Sequence, residues 1–342
     1  MLFLEHVPLA PYTTFRIGGP ARYFAEAASE NDILEGVEFT RTRNLPLFVL
    51  GGGSNLLVAD EGFPGLVLRI ALRGSEQQGD VFQVSAGEDW DAFVSRAVDG
   101  GYAGVECLAG IPGTVGGTPV QNVGAYGQEV AESIVAVRAI DLHTLDIREL
   151  TPLECGFAYR RSIFNAAERG RYLVTRVDYA LRKDGPPRLS YADLKRHFAE
   201  KPKPSLAEVA AAVRKIRHSK GMLIVEGDLD CRSAGSFFKN PVVSTEHYGR
   251  IAGSVGGAPG YSVGDGLIKL PAAWLVEQAG FHKGYVLGHA GISNRHALAL
   301  INRGAAKAAD VLALRDRIVA AVEQRFSIRL EPEPVFLGPE SG

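Results

Sequence analysis

Gly110–Gly127 reads GIPGTVGGTPVQNVGAYG, with six glycines, two prolines and no charged residue. A segment made only to join two elements is normally shorter and more polar. An uncharged run this dense in glycine suits a large flat ligand lying against backbone, or a fixed loop with several turns at unusual φ. Upstream, Leu45–Leu50 (LPLFVL) is an apolar strand signal that ends in Gly51-Gly52-Gly53-Ser54-Asn55. Consecutive N–H groups with no β-carbons beside them form an anion nest for a pyrophosphate, and Ser54 and Asn55 add side-chain donors. The same five residues also suit a tight strand turn. Neither loop is a G-x-G-x-x-G opening a helix, which disfavours a Rossmann dinucleotide domain. The chain has no Walker A loop and no G-x-S-x-G elbow.

Working outward, Gly65–Ile70, Val81–Ala86, Ile134–Asp141 and Tyr172–Leu181 read as strands. Glu88–Gly100 reads as an amphipathic helix, with Trp90, Phe93, Val94, Ala97 and Val98 at helical spacing. Lys183–Arg188 (KDGPPR) and Lys201–Pro204 (KPKP) are linker signals. Ser205 and Glu208 then form a capping box ahead of a helix carrying Val209, Ala212, Val213 and Ile216. Further on come strand-like residues at Ser236–Phe238, a helix over Pro271–Ala279, a strand over His296–Asn302, a helix over Ala306–Phe326 and a last strand over Ile328–Leu337. These breaks divide the chain into domains at 14–184 and 205–337, joined by a linker at 185–204.

Composition narrows the function class. Of 342 residues 46% are hydrophobic and 22% charged, which is ordinary for a folded globular chain. Glycine is the exception, at 40 residues, and the excess is clustered in the loops. A net charge of −2 provides no basic field for nucleic acid or for an anionic membrane. Cys107, Cys155 and Cys231 are too few and too isolated for a disulfide framework or a zinc site, and they fit a reducing compartment. Met1–Ala10 lacks a basic n-region and is broken by Glu5 and His6, so it does not read as a signal peptide. No run approaches the ~20 apolar residues that span a bilayer. The expectation is a cytoplasmic protein with no metal, working as a monomer.

Thr14–Ala21 (TFRIGGPA), Leu50–Leu57 (LGGGSNLL) and Ile111–Gly127 resemble the FAD-binding signatures of the UDP-N-acetylenolpyruvoylglucosamine reductase family. The likeness continues through Tyr159–Phe164 (YRRSIF), Gly235–Pro241 (GSFFKNP), Lys269–Ala279, Gly288–Ser293 and Leu330–Glu333, in order along nearly the whole chain. It implies an α+β fold: a FAD-binding domain of the p-cresol methylhydroxylase (PCMH) type, made of two small α+β subdomains, followed by an α+β substrate-binding domain. It implies FAD as cofactor, NADPH as co-substrate and a UDP-sugar as substrate. The reaction is reduction of UDP-N-acetylglucosamine enolpyruvate to UDP-N-acetylmuramate in peptidoglycan precursor synthesis. Carried over by matching motif, the cofactor contacts are Arg16, Ile17, Gly18, Gly51, Gly52, Gly53, Ser54, Asn55, Leu56, Gly113, Thr114, Gly116, Gly117, Asn122, Gly124, Ala125, Tyr126 and Val174.

The chemistry sets demands that particular residues match. Hydride addition to the methylene carbon leaves enolate charge on the carboxylate, and the neighbouring carbon then needs a proton. Ser236 matches the family's proton donor, and Lys239 or Lys220 are candidates to support a group of such high intrinsic pKa. Arg160 matches the carboxylate-polarising arginine, since a planar guanidinium can grip a carboxylate with two hydrogen bonds. Glu333 matches the C-terminal glutamate, as an enolate polariser or a proton relay. Glu331 shares its face if the segment is a strand, so the choice between them rests on the resemblance. Tyr159, Arg217, Lys220 and Asn240 are candidates for the diphosphate or the substrate carboxylate. Tyr191 resembles the tyrosine of the subtype whose extra loop closes over the substrate. One departure stands out: Ser219-Lys220 leads into GMLIVEGDLDC where the family usually has S-K-L-P-D-P, which weakens the match at Lys220. No second nucleotide motif is visible, so NADPH and the UDP-sugar are expected to use one flavin face in turn. The competing readings are another PCMH-type FAD oxidase, whose His or Cys flavin tether is not seen in these loops, and a non-catalytic nucleotide-sugar binding protein.

Overall fold

The computed structural model describes residues 1–201 and 203–339, so Pro202 of the linker signal lies outside the described residues. Two sheets build the N-terminal half. The first runs in the order Leu4–Pro8, Pro20–Ala27, Phe63–Ile70, Leu47–Leu50. Its last two pairings are parallel. Helix Glu30–Arg43 covers it, starting from a Ser29–Asp32 capping box and burying Ile33, Val37 and Thr40 at helical spacing. The second sheet has five antiparallel strands in the order Ile147–Leu150, Ile134–Asp141, Tyr172–Ala180, Val81–Ser85, Ser75–Gln78.

Helix Trp90–Asp99 packs against this second sheet. Trp90 and Phe93 lie 5.7 and 5.1 Å from the Tyr179 ring, and the Trp90 indole N–H reaches the Leu108 carbonyl at 3.2 Å. A large ring thus buries its apolar body while its one polar atom stays paired. The Tyr179 hydroxyl lies 2.7 Å from Thr118 Oγ1, which itself donates to the Val115 carbonyl at 2.8 Å. The long glycine loop is therefore pinned from beneath.

The capping box at Ser205 forms, and helix Leu206–Ser219 follows it. This helix buries Val209, Ala210 and Val213 in the same core as Trp90 and Tyr179. Arg214 also ties it to Asp91 at 2.7 Å. The core of the C-terminal part is separate and gathers Phe237, Phe238, Leu275, Leu300, Leu314 and Ile318. We therefore place the change of core after Ser219 rather than at the 205 boundary expected from the linker composition.

The C-terminal part has helices Thr245–Ser254, Ala272–Gln278 and Ala308–Phe326 with two small three-stranded sheets. Expected strands here are shorter than their sequence suggests. Ser236–Phe238 makes a single bridge, Phe238 with Pro332, and regular strand covers only Leu300–Asn302 and Val335–Leu337. The irregular stretches still satisfy their backbone: Phe237 N–H bonds the Leu298 carbonyl and Lys239 N–H the Glu331 carbonyl. At His296–Leu298 the main-chain donors go to side chains, to Ser293 Oγ and His296 Nδ1. Such pairing competes with a ladder.

Asp60 of the N-terminal half accepts from the N–H groups of Ala308 and Ala309, at 2.8 and 3.1 Å. It supplies an anionic cap to a helix of the other core. Asp60→Ala is expected to lower unfolding stability by about 1 kcal/mol, read as an earlier chemical denaturation midpoint; an unchanged midpoint would remove this anchor.

Candidate active site

The two glycine loops, the GSFFKNP block and the segment before the last strand meet around a cleft of about 920 Å³. The loops are pressed together: a β-carbon on Gly52 would lie 2.5 Å from Gly113 Cα, so the contact excludes any side chain there. Gly117 is different. It lines the cleft, and a β-carbon there would meet no protein atom within 4 Å. The protein's own packing does not require glycine at 117, so the space it leaves belongs to whatever fills the cleft.

Arg160 and Glu333 form one wall. Arg160 sits at φ +55°, an uncommon conformation for a residue with a side chain. It is held there by Nη2 donating to the Gly124 carbonyl at 2.9 Å and by Asn165 Nδ2 donating to its own carbonyl at 3.1 Å. Arg160 Nε lies 3.3 Å from Glu333 Oε2, within ion-pair range, yet this buried nitrogen has no aligned hydrogen-bond acceptor. A buried guanidinium N–H without an aligned partner is costly; the acceptor within reach is the Glu333 carboxyl itself, while the Arg160 side chain as a whole lines the cleft. Burial pushes the Glu333 carboxyl above its ordinary range, with Arg160 and Lys239 opposing. The Tyr159 ring lies between Arg160 at 5.3 Å and Lys269 at 5.2 Å, an arrangement that brings two cations to one face of the cleft.

The structure separates the two glutamates that spacing leaves open. Glu333's side chain is 12% exposed and faces Arg160, whereas Glu331's is 74% exposed and pairs with Lys239 at 3.2 Å. Residues 330–334 are not a regular strand, so the two-residue repeat does not hold. Lys239 is thereby held outside the cleft lining, so of the two lysines expected to support Ser236 it is Lys220 that shares the cleft with it, alongside Lys269.

At the other wall, Lys220 Nζ lies 2.7 Å from Asp193 and 5.6 Å from the Tyr126 ring, and Tyr126 packs edge-on against Tyr191 at 5.4 Å. Burial pulls the Lys220 amine down, but the hydrogen bond to Asp193 and the charge interactions with Tyr126, Asp193 and Tyr191 together more than offset this, and the net shift is upward. Burial, with Lys220 and Lys283, brings His296 down to about 4, so its ring is neutral near pH 7. Arg217 engages Nε with the Gly110 carbonyl at 2.9 Å and Nη2 with the Met222 carbonyl at 2.7 Å. It braces the long loop as well as lining the cleft.

Most of the residues expected from sequence line this cleft, but six do not. Arg16 turns outward and bonds the Pro11 carbonyl, while Ile17 is buried in the C-terminal core. Gly18 packs against Val58 and Gly116 against Ala86, where β-carbons would come within 2.9 and 2.6 Å of the neighbour's. Asn122, at φ +46°, ties the loop to Glu129 and the Ala158 carbonyl. Val174 is a core residue of its strand. Of these six, Gly116 and Asn122 shape the long loop from behind. Asn55 lines the cleft, yet its amide donates to Gln121 and to the Glu333 carbonyl, both at 3.1 Å. Sequence reasoning missed Gln121, Lys269 and His296; Gln121 lies in the very loop it singled out. Among the described residues no group of His, Cys, Asp and Glu is placed to hold a metal ion.

A family model described as "UDP-N-acetylenolpyruvoylglucosamine reductase, C-terminal domain" matches residues 227–337, and one described as "FAD binding domain" matches residues 21–144. The UDP-N-acetylenolpyruvoylglucosamine reductase of Thermobifida fusca is 46% identical over 351 aligned residues, covering 98% of each chain. That of Streptomyces coelicolor is 44% identical, covering 98% of this chain and 90% of the relative. The crystal structure of the Thermus caldophilus reductase superposes with a TM-score of 0.69 at 29% identity, covering 98% of this chain and all of that one.

The open space at Gly117 and the nest at Gly51–Asn55 fit a flavin nucleotide. Gly117→Val fills the space without a strained backbone, and it is expected to weaken flavin retention by about tenfold or more, ~1.4 kcal/mol per factor of ten, with the fold intact by circular dichroism. Undiminished flavin absorbance per protein would show that Gly117 faces no cofactor.

Proposed function

The chain belongs to the UDP-N-acetylenolpyruvoylglucosamine reductase family, and from that membership we propose which of its residues carry out the reaction. The protein is an α+β flavoprotein oxidoreductase that reduces UDP-N-acetylglucosamine enolpyruvate to UDP-N-acetylmuramate for peptidoglycan synthesis. Bound FAD supplies hydride transfer, with NADPH as the source and the enolpyruvyl methylene carbon as the destination. The groups that would hold its diphosphate and ring edge are the N–H groups of Gly51–Ser54 and of Gly113 and Thr114, since those of Val115, Gly116 and Gly117 already bond the Glu88, Ala86 and Thr114 carbonyls.

Arg160 grips the substrate carboxylate with the part of its side chain that lines the cleft, while its Nε stays against Glu333. Glu333, with its carboxyl raised by burial, keeps a larger protonated share near neutrality than an exposed glutamate. It can then donate to the enolate oxygen. Ser236 Oγ delivers the proton to the carbon next to the carboxylate. Lys220 exchanges Asp193 for the substrate diphosphate, and Tyr191 of the 185–204 segment covers it. The observation that carries this assignment is the Arg160–Glu333 pair, buried in the cleft with an uncompleted guanidinium N–H. Cys107, Cys155 and Cys231 are free and buried, which supports a reducing, cytoplasmic setting. Among the described residues no helix is long and apolar enough to cross a membrane.

The test is a visible spectrum under anaerobic conditions. A flavin spectrum is expected to bleach with NADPH and return on adding UDP-N-acetylglucosamine enolpyruvate. A protein that takes up no FAD removes the reading; one reoxidised only by oxygen is an oxidase. Ser236→Ala is expected to bleach normally while reoxidation by the substrate slows by about 100-fold or more.

The pH dependence follows in sign from Glu333. Its folded-state pKa is raised, so the protonated form is lost as pH climbs through a value above the usual carboxyl range of about 4.3. The reoxidation rate is expected to fall along that limb. Glu333→Gln, neutral at every pH, is expected to abolish the limb; a limb that persists assigns it to another group.

A further inference from the structure

Asn55 stands where the two halves of the reaction meet. Its side-chain nitrogen lies 3.1 Å from the Glu333 carbonyl and 3.1 Å from Gln121 Oε1. A main-chain carbonyl can only accept, so the amide is oriented with nitrogen towards Glu333, and Gln121 takes the second N–H. The Asn55 carbonyl accepts from Val335 N–H at 2.9 Å, two residues beyond Glu333. From the other side, Glu333 N–H bonds the Phe237 carbonyl at 2.8 Å, next to Ser236. Glu333 is thus clamped by its own backbone, between the first glycine loop and the GSFFKNP block.

We infer that Asn55 is a positioning residue for reduction of the substrate: it fixes the Glu333 backbone so that the carboxyl meets Arg160, and it registers that carboxyl against both glycine loops. This rests on the roles given above to Glu333 and Arg160. Asn55 lines the cleft, but its amide donors are engaged within the protein, so it acts through Glu333. A displacement of about 1 Å in such a group is enough to slow a reaction greatly without touching the reacting atoms. Delivery of hydride from NADPH does not involve Glu333, so the two half-reactions part company at this residue.

The experiment compares Asn55→Ala and the isosteric Asn55→Asp with the unmodified protein, in flavin content and in each half-reaction. Bleaching by NADPH and flavin retention are expected to stay within about threefold, while reoxidation by the substrate slows at least tenfold in kcat with little change in KM. The alkaline limb of reoxidation is expected to move in both variants: a displaced Glu333 carboxyl meets a changed balance between burial, which raises its pKa, and Arg160, which lowers it, and the Asn55→Asp change adds a like charge that moves the limb to higher pH. A purely structural brace would not move that limb. Equal slowing of both half-reactions, loss of flavin from both variants, or unchanged reoxidation with an unmoved limb overturns the inference. An unmodified protein that bleaches but is not reoxidised by the substrate overturns the functional reading itself, and this inference with it.

Discussion

Strand Val335–Leu337 lies parallel to Leu56–Val58, directly after the first glycine loop, and the rest of the active site depends on that pairing. Residues some 280 positions apart in the chain are brought into one ladder, and loop closure on that scale has to be offset by contacts elsewhere. Three sets of contacts do so. Asp60 caps the helix Ala308–Phe326, Asn302 donates to the Phe15 carbonyl at 3.0 Å, and Thr14 Oγ1 donates to the Ser233 carbonyl at 2.6 Å. Each joins the N-terminal segment to the second core. The consequence is chemical: Glu333 and Ser236, from one core, face the two glycine loops of the other across a single cleft.

The loops are rigid for a reason that lies beneath them. Gly52 and Gly113 touch backbone to backbone, Thr118 is tied to Tyr179, and Tyr179 is packed against Trp90 and Phe93. A helix from beyond the linker, Leu206–Ser219, closes this core and sends Arg217 to the Gly110 carbonyl. Stiffness in a ligand loop is useful because the ordering cost is met in folding and not at each binding event. The same logic explains why a buried arginine sits in the cleft without any carboxylate partner: two of its nitrogens serve main-chain carbonyls that would otherwise be unpaired.

Local signals were readable in the sequence and long-range ones were not. The helix at Trp90, the strands at Ile134 and Tyr172, the Ser205 capping box and both glycine loops announce themselves within a few residues. The split between Glu331 and Glu333 does not, because it is decided by Pro332, by Lys239 and by the Phe237 carbonyl that takes Glu333 N–H. The donors of Asn55 read as free for a ligand, since nothing nearby in sequence accepts from them; their acceptors are Gln121 and Glu333. Gly116 and Asn122 belong to the right loop but serve its inner side, a distinction that depends on Ala86, Glu129 and Ala158. Linker composition says where the chain turns and not which core the next helix joins, and Leu206–Ser219 joins the core of the N-terminal half.

Charge in the cleft follows a consistent pattern. The chain as a whole carries −2, and the cleft lining sets Arg160, Arg217, Lys220 and Lys269 beside Glu129, Glu132 and Glu333. Two of these have anionic partners that a substrate can replace or share: Asp193 for Lys220 and Glu333 for Arg160. A cation desolvated alone is expensive, and one held by a carboxylate in the free protein avoids that expense until an anion arrives. The two partners differ in a way that fits their tasks. Asp193 lies on the short helix Ala192–His197 that follows the linker's Tyr191, so its contact can open and close with that segment. Glu333 is clamped on both sides by backbone hydrogen bonds, so it stays in place when the anion binds and can act on the charge that develops there.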